Sequence, residues 1–140
     1  MSPLEQRIIL LSVGSSLLAL AYALLLIRWV LRQSPGTKEM QKISQAIQEG
    51  SRAYLNRQYR TVAMVAVPIF LLLAWWLGWK VAFGFVVGAV ASAISGYVGM
   101  NIAVRSNSRT AEAARHGLDS ALKTAFRGGA VTGFFVVALG

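Results

Sequence analysis

The sequence predicts an all-α, polytopic transmembrane protein with three complete spans and the start of a fourth, forming part of a larger helical bundle. Three observations carry that expectation. Hydrophobic residues fill 56% of the 140 positions and charged residues only 14%, against about 25% charged in a soluble domain. The apolar residues come in blocks, with no charge from Ile8 to Ile27, from Val62 to Trp79 or from Val81 to Val104. The chain is nonetheless basic, with a net charge of +9, and its 14 Lys and Arg all lie outside those blocks.

A helix rising about 1.5 Å per residue needs roughly 18 to 20 apolar residues to cross a hydrocarbon core of about 30 Å, and each block reaches that length. The first span is placed at about residues 8–30. Its alanines at 19, 21 and 23 resemble a signal-cleavage context, but the apolar run continues to Ile27 and most of its flanking positive charge follows it, so a retained span is expected.

The connection from Gly36 to Thr61 is polar yet periodic, with Met40, Ile43, Ile47, Gly50 and Tyr54 recurring along one helical face. A cytoplasmic helical extension is therefore expected over residues 37–61, with Ser34 or Thr37 as N-cap, running without a break into the second span at 62–79. That rod would be about 60 Å long, twice the hydrocarbon thickness. Pro68 removes a backbone donor inside the span and is expected to bend it. Trp75, Trp76 and Trp79, followed by Lys80, form an interfacial aromatic anchor at a short external turn.

The third span, 81–104, carries Gly84, Gly88, Ser92 and Gly96 at four-residue spacing, a row of small side chains that lets another helix approach closely. Ala125, Gly129 and Gly133 repeat the device in the fourth segment, 121–140, whose apolar run begins near Gly128 and is too short to span. A lipid-exposed helix stopping partway would leave carbonyls unpaired, so the chain is expected to be a piece of a larger protein. Gly117 interrupts the polar stretch before this helix, and Asp119 or Ser120 is expected to cap it.

Only Arg7 and Lys80 fall on one side of the spans and the other twelve cations on the opposite side, which places the N-terminus outside the cytoplasm under the positive-inside rule. Orientation accounts for these cations, so no nucleic-acid partner is expected, while anionic lipid headgroups are. Cysteine is absent, removing disulfides and thiolate chemistry. The five carboxylates, Glu5, Glu39, Glu49, Glu112 and Asp119, all lie outside the spans and are scattered, and His116 reads as a solvated loop residue. No catalytic, cofactor-binding or metal site assembles from these residues.

Three strings nevertheless resemble one family in order: GTKEMQKISQAIQEGSRAYLNRQYRT (Gly36–Thr61), GYVGMNIAVRSNSRTAEAAR (Gly96–Arg115) and GLDSALKTAFRGGAVTG (Gly117–Gly133). They are similar to the N-terminal part of membrane-bound, ion-translocating inorganic pyrophosphatases. Ser106-Asn107-Ser108 departs from the expected pattern, where an alanine and a less polar third residue would stand.

The resemblance implies a homodimeric pump with about sixteen spanning helices per subunit. It would hydrolyse pyrophosphate on the cytoplasmic side and move protons or sodium outward, in a membrane expected to be the bacterial plasma membrane. Magnesium, with potassium as a possible second cofactor, would be held by aspartates of a DVGADLVGK-type motif on later helices, and the nucleophile would be an activated water. The helices present here would belong to a structural outer ring. The residues singled out are accordingly architectural: Gly84, Gly88, Ser92, Gly96, Gly129 and Gly133 for helix packing, and Tyr54, Arg57, Tyr59 and Arg109 for the cytoplasmic extensions. The alternative is a small, self-contained membrane scaffold or accessory subunit without enzymatic activity.

Overall fold

A computed structural model describes residues 2–139 as four helices: α1 (Pro3–Arg32), α2 (Lys38–Trp76), α3 (Trp79–Ala114) and α4 (Leu118–Leu139). There is no strand among the described residues. All four helices are long and apolar enough to cross a membrane. Helix α4, whose apolar run is expected from the sequence to be too short to span, reaches that length because the helix starts at Leu118 and takes in Lys123 and Arg127 ahead of the run.

Local chemistry sets the helix ends. Ser2 and Glu5 form a reciprocal capping box, with Glu5 N donating to Ser2 Oγ at 3.2 Å and Ser2 N donating to Glu5 Oε2 at 2.8 Å, and Pro3 occupies the first helical position. Thr37 caps α2 by accepting from Met40 N at 3.3 Å. The turns hold Gly36, Gly78 and Gly117 at φ of 84°, 91° and 122°, backbone that a side chain would strain. Gly117 precedes α4, so Asp119 and Ser120 fall inside its first turn and Gly117 takes the cap position expected of one of them. Helix α2 is continuous over 39 residues, about 58 Å, and Pro68 does not interrupt it.

Helix α3 is the centre of the arrangement, with α2 packed along one flank and α4 along another, while α1 lies mainly on α4. The core gathers where α1, α3 and α4 meet: Ala23, Leu26 and Val30 pack with Ile102, Val131 and Phe135. Tyr22 meets Phe134 edge-on with ring centroids 5.1 Å apart. In lipid, apolar burial supplies little net drive, and close van der Waals packing has to supply it instead. Two glycines make that packing possible. A Cβ on Gly99 would lie 2.8 Å from Thr132 Cγ2, and one on Gly128 would overlap the Ser106 side chain.

Most of α1's first half, the outer half of α3 and the aromatic end of α2 are exposed, Trp75 by 91% and Trp76 by 80%. Phe70, Trp79 and Phe83 cluster across the α2–α3 turn at centroid distances of 6.1 to 6.4 Å. An aromatic belt at a membrane surface has this composition.

The close approach of α3 to α4 yields a test on the full-length protein in detergent. Gly99→Leu is expected to destabilise by about 2 kcal/mol through overpacking against Thr132. Gly50→Ala, in an exposed helix interior with open space around it, is expected to stabilise by about 0.5–1 kcal/mol. Thermal unfolding of the two variants would contradict this packing if the order were reversed.

Candidate functional site

The charged ends of the helices collect on one side of the bundle. Helix α2 begins there, α1 and α3 end there, and α4 starts from the same side after the turn at Arg115–Gly117. The amphipathic face of α2 meets α3 in this region: Met40, Ile43 and Ile47 share a cleft with Asn107, Ser108 and Ala111. Leu55 and Ser44 of α2 are buried.

Tyr59 donates its hydroxyl proton to the Ala93 carbonyl at 2.9 Å and lies 6.5 Å from the Tyr97 ring. This bond presses the phenol over Gly96, where a Cβ would stand 2.9 Å from the Tyr59 oxygen. Gly96 is therefore the member of the predicted α3 row that makes a close approach. Around Gly84, Gly88, Gly129 and Gly133 an added Cβ would meet nothing within 4 Å, and Ser92 is exposed.

Arg109 is half-buried where α3 meets the end of α1. Its Nη1 donates to the Arg105 carbonyl at 2.7 Å and its Nη2 to the Leu31 carbonyl at 3.4 Å, tying α3 to the last turn of α1. Burial, and after it the charge of Arg105, push Arg109 below its ordinary value, although a guanidinium stays protonated at physiological pH. Its Nε is buried without a hydrogen-bond partner. Tyr54 and Arg57 are exposed on α2, and their side chains make no hydrogen bond or ion pair among the described residues. Tyr59 reaches Ala93 and Arg109 lies sixteen residues further along α3, about 24 Å. Of the four predicted residues, Tyr59 and Arg109 thus serve separate inter-helix contacts and Tyr54 and Arg57 none, so they do not converge on one site.

Sequence reasoning missed a further contact. Arg127 of α4 stacks over the Trp29 ring of α1, its guanidinium carbon 4.1 Å from the ring centroid, joining two helices that are distant in sequence. Its only sequence signal is an Arg and a Trp bordering apolar runs.

A magnesium site, which the resemblance would imply somewhere in the intact protein, does not fit these residues. No three His, Asp or Glu side chains come together among the described residues. Glu112 is engaged by Arg115 Nη1 at 3.2 Å, with His116 Nε2 at 3.9 Å from its other oxygen.

Fold and surface define a helical membrane protein with one strongly basic side and no assembled catalytic centre among the described residues. The chain belongs to the inorganic H+ pyrophosphatase family, whose model matches residues 17–140. It is 48% identical over 136 residues to a K(+)-insensitive pyrophosphate-energized proton pump of Methanosarcina mazei, covering 96% of this chain and 20% of that protein. It is 52% identical over 127 residues to the K(+)-insensitive pyrophosphate-energized proton pump 2 of Moorella thermoacetica, covering 90% of this chain and 19% of the relative. A putative K(+)-stimulated pyrophosphate-energized sodium pump of Clostridium tetani is 41% identical over 128 residues, 91% of this chain and 19% of its own length. The chain therefore spans about a fifth of the relatives it matches.

The Tyr59 bond generates a prediction. Tyr59→Phe keeps the ring against Tyr97 but leaves the Ala93 carbonyl without this donor, and is expected to cost about 1 kcal/mol. A double-mutant cycle on Trp29→Ala and Arg127→Gln is expected to show coupling of about 0.5–2 kcal/mol. Denaturation in detergent micelles measures both, and zero coupling would remove the cation–π contact as a link between α1 and α4.

Proposed function

We propose that this chain is the N-terminal, architectural portion of a pyrophosphate-energised proton or sodium pump. Its helices brace a catalytic centre built by residues outside this segment. The observation that carries the reading is the 48% identity to a pyrophosphate-energized proton pump across 96% of the chain. Relatives named as proton pumps and one named as a sodium pump match comparably, so the transported ion is left as proton or sodium. In the intact protein, pyrophosphate would be hydrolysed on the basic, cytoplasmic side with magnesium, and potassium would act as an activator in one branch. Two copies would form the working dimer. The exposed row of Gly84, Gly88 and Ser92 offers a smooth seat for a helix from beyond this segment. No observation favours the self-contained scaffold.

Reconstitution tests the reading. The full-length protein in vesicles is expected to release phosphate from pyrophosphate in the presence of magnesium and to build a proton or sodium gradient, while residues 1–140 alone release none. Turnover by the isolated segment would overturn the architectural role, and a full-length protein without pyrophosphate-dependent transport would overturn the pump.

Orientation is tested separately. With the N-terminus outside, Ser2→Cys is expected to react with a membrane-impermeant maleimide on intact cells, and His116→Cys, 73% exposed at the α3–α4 turn, only after permeabilisation. The opposite labelling pattern would invert the topology.

A further inference from the structure

A cavity of about 260 Å³ lies between the basic ends of α1, α2 and α3, the cytoplasmic side in the proposed orientation. Gln45 and Gln48 line it from α2, Arg105, Ser108 and Arg109 from α3, and Leu31 borders it from α1, leaving it open to the outside. We infer that this cavity is a binding site for a phosphate-bearing anion, with the headgroup of an anionic phospholipid of the cytoplasmic leaflet as its natural occupant.

Charge is the first support. Two arginines, Arg105 and Arg109, line this space, and no carboxylate does. Glu112, one turn beyond Ser108, is held by Arg115 instead, and Glu49 is exposed on α2. Arg105 makes no ion pair among the described residues. Two like charges held together without a counter-ion repel, and an anion between them removes that cost.

Donor geometry is the second. Arg109 spends two nitrogens on helix carbonyls and has its Nε covered, so it lends the space charge, whereas the Arg105 guanidinium makes no hydrogen bond or ion pair among the described residues and is free to donate. Amide groups at Gln45 and Gln48, with the Ser108 hydroxyl, add neutral donors around the same space. Guanidinium forks and amides suit phosphate oxygens, and about 260 Å³ exceeds a single water's share of roughly 30 Å³ several-fold, leaving room for a phosphate diester.

Depth selects the source. Arg105 is the first charge after the run Val81–Val104, and Leu31 lies three residues past Arg28, the first charge after Ile8–Ile27. Both helices therefore leave the hydrocarbon beside the cavity, at headgroup level. A phosphate dissolved in the cytoplasm has the same chemistry, and the test separates the two.

Native mass spectrometry of the full-length protein in detergent reads binding directly and is independent of turnover. With phosphatidylglycerol the wild type is expected to retain a lipid adduct about tenfold more tightly than with phosphatidylcholine, and Arg105→Gln or Gln45→Glu to weaken it by a similar factor. Thermal unfolding of both variants checks that they remain folded, and Gln45→Glu changes an exposed side chain that makes no hydrogen bond among the described residues. Persistence of the adduct in millimolar inorganic phosphate supports the lipid. Displacement by phosphate whose own binding the same variants weaken supports the anion site but overturns the lipid as its occupant. Equal binding of both probes by wild type and variants overturns the site.

Discussion

The close approach of α3 to α4 governs this segment, because α3 touches every other helix and α4 carries most of α1's contact. Gly99 receives Thr132, and Gly128 receives Ser106. At these points a small side chain of one helix seats against the bare backbone of the other, the arrangement that allows helices to associate in lipid, where apolar surface alone gives no preference for protein over acyl chain. Once α4 is fixed, α1 follows through Ala23, Leu26 and Val30 against Val131 and Phe135, with Arg127 on Trp29 at the rim. The same tightness leaves the Ser95 and Ser106 hydroxyls buried without partners, a local cost accepted where only small side chains fit.

Much of this was legible in the sequence. Uncharged runs marked the helices, Gly117 in polar surroundings marked the α3–α4 turn and the tryptophans before Lys80 the α2–α3 turn, because these follow from local backbone and solvation rules that need no partner. Gly78, set among apolar residues inside the expected span, was not legible as the turn residue. The packing positions were legible only in kind. Gly84, Gly88, Ser92 and Gly96 recur every four residues, yet only Gly96 makes a close approach, and the decisive α3 positions fall on a different line, Gly99 and Ser106, seven residues apart. A four-residue ladder drifts around a helix by about 40° per step, whereas a seven-residue step drifts by only about 20°, so the latter tracks one neighbour over a longer path. Gly128 and Gly129 are adjacent, and only the structure tells which of them faces α3. The departure at Ser106 coincides with this contact, its side chain filling the space that Gly128 leaves open.

The basic residues were legible as a set but not as individuals. Tyr59, Arg109 and Arg127 bridge helices because their long side chains reach a carbonyl or a ring across a gap, and which one a side chain finds depends on helix register. That register is set by the α2–α3 turn at Gly78 and by the α3–α4 contact. Tyr54 and Arg57 have the same composition signal and stay exposed.

Register also separates two roles within a single apolar run. Tyr59 meets Ala93, and Gln48 shares a cavity with Arg105, so residues 48–59 of α2 lie beside residues 93–105 of α3. Over that stretch of about 18 Å, α2 carries Glu49, Arg52 and Arg57 while α3 has no charge before Arg105. A charged side chain deep in hydrocarbon costs about 2.5–3.5 kcal/mol, so water or headgroups must reach along α2's exposed face, helped by arginine stems that extend the charge outward. The adjoining part of α3 remains apolar for a different reason: Ser95, Gly99, Ile102 and Val104 are buried, in the part of α3 that packs on α1 and α4. The outer part, with Val86, Val87 and Val90 exposed, meets lipid in the usual way. The run from Val81 to Val104 is therefore uncharged for two reasons, solvation by lipid at one end and packing against protein at the other. Hydropathy adds them together, and only helix register separates them.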